Sequence, residues 1–185
     1  MRTAIIGSGP SLNDSGKGKY IDSFDTVFRF PNYIDWQNKN DVGTKTSYYC
    51  CTMKRSQRLT LPLECGCFIW SKYKNKSASK KRAKELGCID VTDLICRWQK
   101  KLPKQCYPYF SCGTAAVCIA MDRIKDKITV LGCDMLKSGD PRKGKYIGSW
   151  VYEDRRQNQS HHSFDEERKL IDKMSDHYNV EVCFE

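Results

Sequence analysis

The chain has 185 residues, 32 Lys and Arg against 22 Asp and Glu, a formal net charge of +10, and 39% hydrophobic residues. Those values fit one folded domain over residues 1–185 with a substantial core, and they exclude a disordered chain. No apolar run is long enough to cross a bilayer, and no signal peptide opens the sequence, so a soluble cytoplasmic protein is expected. The basic balance favours phosphate-bearing or polyanionic partners. However, the lysines cluster at 72–84 and 100–104, outside the glycine-rich stretches, and read as a solvated face. The cysteine count of eleven is odd, and most cysteines sit in apolar runs (Cys50, Cys51, Cys67, Cys118, Cys133, Cys183), which suits free thiols in a reducing compartment. Only Cys65-Gly66-Cys67 approaches a metal-ligand spacing, so no structural metal is expected.

In chain order, residues 3–6 read as a short buried strand running into a loop rich in Gly, Ser and Asn over 7–16. A helical turn over 17–23 and a strand over 25–30 follow, broken by Pro31-Asn32, and 33–43 reads as polar loop. Residues 46–51 and 67–70 are strands by β-branched, aromatic and apolar content. Lys80 to Leu86 reads as an exposed helix ended by Gly87, and 89–95 is ambiguous between helix and strand. Ala115–Met121 is apolar all round, as in a helix buried on several sides, with Ser111 as its N-cap. Lys127–Gly132 has the unbroken apolar character of a central parallel strand. Residues 137–149 read as a mobile loop. Ser163 and Glu166 form a capping box for a helix with Phe164, Ile171, Met174 and Tyr178 on one face, and 179–183 closes as a strand. Strands alternating with helices predict a single Rossmann-like α/β domain, with a mostly parallel sheet and helices on both faces.

Three stretches can carry chemistry. Gly7-Ser8-Gly9 follows the first strand, where an open α/β sheet binds ligands, and a glycine turn there brings backbone N–H groups to a phosphate. Ser111-Cys112-Gly113-Thr114 opens the buried helix and would add free N–H groups of a helix N-terminus to the same edge. His161-His162 precedes the last helix, whose positive end keeps His162 neutral and able to accept a proton. Other signatures are missing. The dinucleotide fingerprint needs glycine where Leu12 stands, and Arg29-Phe30 closes the second strand where a NAD enzyme carries an acid. With no Asp-x-Asp pair to bridge a diphosphate through a metal, a donor bearing a single phosphate fits better, and no cofactor is expected.

These residues resemble a family. Ala4–Leu12, Ile21-Asp22-Ser23 with the strand ending in Arg29, and Asp41-Val42-Gly43-Thr44-Lys45-Thr46 are similar to the large sialyl motif of sialyltransferases, the glycosyltransferase family 29 type. The Gly-x-Gly-Pro-Ser-Leu run also resembles the bacterial family 42 enzymes. Tyr109–Gly132 resembles the small motif, Trp150-Val151-Tyr152-Glu153 the third, and His162 with Glu167 the very small motif, all in the family's order.

The resemblance implies the sialyltransferase variant of a GT-A-like fold. It also implies metal-independent, inverting transfer of sialic acid or a related acidic sugar from a CMP-sugar donor to a glycan acceptor hydroxyl. His162 would be the general base, with His161 as its alternative. Gly7, Ser8, Gly9, Arg29, Asn32, Ser111, Cys112, Gly113, Thr114 and Tyr152 would bind the donor. The chain departs from the family at several places. Ser8 replaces an Asn, Asn32 stands one place late, Cys112 replaces Ser or Thr, and the third-motif His is missing. The disulfide that the resemblance implies lacks both cysteines, with Ala4 at the first position and a non-cysteine residue near Ile124 at the second. The family's membrane anchor is absent as well, as expected of a bacterial or viral version. A non-catalytic basic nucleotide- or RNA-binding module is the competing reading.

Overall fold

The computed structural model describes residues 1–7, 9–30, 38–54, 56, 59, 65–71, 76–103, 110–124, 127–133 and 164–185. Seven strands are described: β1 (Thr3–Ile6), β2 (Thr26–Arg29), β3 (Tyr48–Thr52), β4 (Gly66–Trp70), β5 (Ile89–Asp90), β6 (Ile128–Leu131) and β7 (Val182–Phe184). They form one sheet in the order β5-β4-β3-β2-β1-β6-β7, and every pairing is parallel. Six helices accompany them: α1 (Gly18–Asp22), α2 (Lys39–Val42), α3 (Lys76–Leu86), α4 (Thr92–Gln99), α5 (Cys112–Arg123) and α6 (Phe164–Tyr178).

Alternation along the strands assigns the two faces of the sheet. Ile5, Phe28, Cys50, Phe68, Trp70 and Val130 point to one face, where they join residues of α4, α5 and α6 in the main core. Ala4, Ile6 and Val27 point to the other, packed with Ile21 and Val42 of α1 and α2. Cys51, Cys67 and Ile69 continue that second face beneath Ala83 and Leu86 of α3. The expected α/β domain with helices on both faces is therefore observed. α5 is buried as its apolar run requires: each residue from Ala115 to Met121 is 0% exposed.

Polar struts hold the second face. Asp41 is buried at the end of α2, and its carboxylate accepts from Asp14 N at 3.0 Å and Gly16 N at 2.9 Å. Asp22 reaches the opposite way from α1 and accepts from Thr44 N at 2.7 Å and Lys45 N at 2.8 Å. The two helices approach so closely that a Cβ on Gly18 would stand 2.1 Å from Lys39 O. Gly43 turns the chain between the struts with φ of 66°, a left-handed conformation that glycine adopts without strain.

Several element boundaries differ from the sequence reading. α2 lies inside the stretch read as loop. α3 begins at Lys76, four residues before its expected start. The ambiguous 89–95 segment divides into β5 and α4 because the Asp90 side chain accepts from Thr92 N at 2.8 Å and starts a helix there. The last strand is Val182–Phe184, because Asn179 adopts φ of 53° and ends α6 with a left-handed residue. The 137–149 loop and Ser163 of the capping box lie outside the described residues.

Replacing Asp41 by Ala removes two charge-assisted hydrogen bonds to backbone donors. A loss of about 2–3 kcal/mol is expected, or a melting temperature lower by about 5–10 °C. Thermal unfolding followed by circular dichroism checks this, and a shift below about 1 °C would show that the strut carries no stability.

Candidate functional site

β1 sits where the chain reverses its march across the sheet. Strands β1 to β5 proceed in one direction, and β6 and β7 are added on the other side of β1. The crevice outside the carboxyl ends of β1 and β6 is thus the ligand position of such a sheet. The Gly7–Gly9 turn is tied to the end of β6 there. Gly7 N donates to Leu131 O at 2.8 Å, and Gly9 N donates to Gly132 O at 2.6 Å. A Cβ on Gly7 would stand 2.1 Å from Gly132 O and 2.6 Å from Cys133 Sγ, so no side chain fits at residue 7. Gly132 has φ of 64°, and its own Cβ would meet Leu12 Cδ1 at 2.4 Å.

The start of α5 reaches the same place. A Cβ on Gly113 would be 3.2 Å from Cys133 Sγ and 3.8 Å from Ser111 Oγ. The two stretches singled out in the sequence therefore meet across Cys133, a half-buried residue read there only as apolar filling. Its sequence signal was its place directly after Gly132, at the end of the most apolar strand. Ser111 caps α5 as expected, its Oγ accepting from Thr114 N at 3.2 Å.

The N-terminus of α5 is not the row of free donors that was expected. Glu167, on the first turn of α6 and 1% exposed, lays its carboxylate across it. Ser111 N donates to Glu167 Oε2 at 3.1 Å and Oε1 at 3.2 Å, Ser111 Oγ donates to Oε2 at 2.7 Å, and Thr114 Oγ1 donates to the same oxygen. A buried carboxylate is tolerable only when such donors replace its water, and a helix N-terminus supplies both donors and a favourable dipole. A donor phosphate cannot use the Ser111 and Thr114 N–H groups, because both are already engaged. Glu167 entered the sequence reading only as a motif letter. Its signal was a charged residue in register with Leu170, Ile171 and Met174 on the buried face of α6.

Arg29 is 5% exposed and serves the scaffold in this structure. Its Nε donates to Lys45 O at 2.8 Å and Nη2 to Val42 O at 2.6 Å, bracing the turn after α2. Burial pushes its pKa down to about 10, which leaves it cationic at neutral pH. Cys112, on the first turn of α5, is half-buried. Of the other predicted site residues, Ser8, Asn32, Tyr152, His161 and His162 lie outside the described residues. A cavity of about 200 Å³ beside β5, lined by Lys80, Asp90, Thr92, Arg97 and Asp122, includes none of the predicted site residues. Among the described residues, no three His, Cys, Asp or Glu side chains come together to hold a metal, and no helix is long and apolar enough to cross a membrane.

A parallel sheet with this switch point and these two joined turns defines a Rossmann-like α/β protein. Residues 1–79 match the model of glycosyltransferase family 29 (sialyltransferase), which shows the resemblance read from the motifs over that part of the chain. A stretch of 46 residues, 25% of this chain, is 50% identical to alpha-N-acetylgalactosaminide alpha-2,6-sialyltransferase 1 of Gallus gallus. A stretch of 53 residues, 29% of this chain, is 45% identical to alpha-N-acetylgalactosaminide alpha-2,6-sialyltransferase 2 of Mus musculus. These stretches span only 8% and 14% of the two relatives' own lengths. A mammalian sialyltransferase crystal structure superposes with a TM-score of 0.64 at 17% identity, over 98% of this chain and 68% of that one. The sialyltransferase CST-II, crystallised with a trisaccharide acceptor and CMP, does so with a TM-score of 0.60 at 13% identity, over 100% of this chain and 80% of that one. The fold is that of sialyltransferases.

Glu167→Ala leaves the Ser111 N–H and two hydroxyls facing an empty buried space. Urea unfolding should show a loss of about 3 kcal/mol, with a smaller loss for Glu167→Gln, whose amide oxygen still accepts. A loss under about 1 kcal/mol in the alanine variant would show that the carboxylate does not hold the two helices together.

Proposed function

We propose that the chain is a glycosyltransferase that moves sialic acid, or a related acidic sugar, from a CMP-sugar to a hydroxyl of a glycan acceptor. The observation that supports this most is the meeting of the Gly7–Gly9 turn and the Ser111–Thr114 helix start across Cys133, in a chain whose first 79 residues match the sialyltransferase family. In this reading the glycine turns admit the backbone close to the nucleotide, with Ser8, Asn32, Cys112 and Gly113 among its contacts. Arg29 supports that wall from behind.

His162 stands five residues before Glu167 in the sequence, and Glu167 is anchored to the start of α5. In this reading His162 is the base. It takes the proton of the acceptor hydroxyl as that oxygen attacks the anomeric carbon. The bond to the CMP phosphate breaks on the opposite side, its electron pair leaves with CMP, and the anomeric configuration inverts. Backbone N–H groups, hydroxyls and Tyr152 hold the departing charge, and the lack of an Asp-x-Asp pair supports a course without a metal. The names of the matched relatives make an N-acetylgalactosaminide the first acceptor to supply. The many free thiols support a reducing, cytoplasmic setting.

CMP should raise the melting temperature, whereas UDP, GDP and NAD should not. CMP-sialic acid with an acceptor should yield CMP. His162→Ala should lower turnover by about 100-fold or more while keeping the CMP-induced stabilisation. No turnover of any CMP-sugar by the wild type, or full activity of the variant, would reject the mechanism. Salt-dependent retention of RNA without CMP stabilisation would instead favour the basic binding module.

A further inference from the structure

Away from the crevice, three thiols converge beneath α3. Cys51 of β3 and Cys67 of β4 are 0% and 3% exposed. Cys88, just after the Gly87 turn that ends α3, is half-buried. The parallel register pairs Phe68 with Ile89, so the residues one step earlier, Cys67 and Cys88, stand side by side at the edge of the sheet. The two thiols are near enough to perturb one another, as Cys51 also perturbs Cys67, while each donates to a backbone carbonyl, Cys67 Sγ to Phe68 O at 3.8 Å and Cys88 Sγ to Leu86 O at 3.6 Å. The alternation that buries Ile69 and Cys51 under Ala83 and Leu86 points Cys67 into the same small core. Cys51 and Cys67 read from the sequence as apolar filling, and Cys88 carries no such signal. Thiols on paired backbone positions of adjacent strands, packed in one small core with one of them half-buried, have a further capacity.

We propose that Cys67 and Cys88 are a redox-reactive pair that closes a disulfide when the surrounding thiol pool is oxidised. The co-reactant is a small disulfide such as glutathione disulfide. Cys88, the reachable thiol, loses its proton and attacks one sulfur of glutathione disulfide, releasing one glutathione, which takes up that proton. Cys67 then attacks Cys88 Sγ in the mixed disulfide, loses its own proton and releases the second glutathione. Two protein thiols are oxidised to one disulfide, and one glutathione disulfide is reduced to two thiols. The bridge ties the two-residue strand β5 and the end of α3 to β4, so the edge of the sheet stiffens without any change at the crevice.

The same geometry sets the rate. Burial, with Cys67 beside it, pushes the Cys88 thiol up to about 12, opposed by the Arg82 guanidinium on α3. The hydrogen bond with Cys51, and then burial, hold Cys67 well above the ordinary thiol range. Tyr49 and Cys50 on β3 are further titratable side chains that feel Cys67. Both thiols are protonated at neutral pH. The pair is therefore quiescent in a reducing pool, and cross-linking should accelerate about tenfold per pH unit as the Cys88 thiolate fraction rises.

The test incubates the full chain with glutathione disulfide at pH 7 and pH 8, quenches in acid, alkylates and maps peptides by mass spectrometry. The expected result is a Cys67–Cys88 peptide, loss of two of the eleven thiols, a rate about tenfold higher at pH 8, and a melting temperature raised by several degrees. Cys88→Ser, at a half-buried turn where folding tolerates the change, should abolish both the cross-link and the shift. A stable glutathione adduct on Cys88, a bridge from Cys67 to Cys51 or Cys65, or an undiminished thiol count would overturn the proposal.

Discussion

The Glu167 carboxylate at the start of α5 is the contact on which the arrangement of the candidate site depends. Apolar packing alone leaves α6 free to slide along α5, because methyl and methylene contacts are nearly interchangeable over short shifts. A buried carboxylate is not interchangeable. Burying it requires donors that replace its water, and Ser111 N, Ser111 Oγ and Thr114 Oγ1 supply them where α5 begins. That single contact sets the register between the helix that would face the donor and the helix that follows the proposed base. The same carboxylate occupies part of the helix N-terminus. The glycine turns around Cys133 lie beside that helix start, with Ser111 and Thr114 donors already engaged there.

A second group of polar residues works in the same spirit on the other side of the sheet. Asp22, Asp41 and Arg29 all bond to backbone atoms of neighbouring turns. In isolation each looks like a candidate for chemistry, since charged residues are rarely buried without a function. Here the function is mechanical. The first glycine turn must be held against β6 to within a few tenths of an ångström, as the 2.1 Å from a Gly7 Cβ to Gly132 O shows. Backbone-directed carboxylates and a guanidinium fix loops more narrowly than apolar contacts would. The similarity to sialyltransferases over the first 79 residues includes these struts as well as the glycines.

Six of the seven described strands were legible from their apolar, β-branched and aromatic content, whereas β5 lay in an ambiguous stretch; α5 was legible because its apolar stretch follows a serine that can cap it. Helix α4 was not legible: its start depends on Asp90 accepting from Thr92 N, and its buried face depends on the sheet lying beneath it. Cys133 and Glu167 carried weak signals of position, and their importance became visible only with their partners. Cys51 and Cys67 are buried, as their apolar surroundings in the sequence indicate, but the pairing of Cys67 with Cys88 is a matter of strand register.

By itself, the sequence determined the alternation of strands and helices, the two glycine-bearing turns and the family they resemble. These are local properties, set by side-chain periodicity and by what glycine, serine and proline permit within a few residues. Only the tertiary structure decided that the two turns meet across Cys133, that Arg29 braces a loop, and that Glu167 closes the start of α5. Each of these joins residues from 13 to 126 positions apart along the chain. No local preference encodes such a pairing; it follows from the order in which the strands enter the sheet.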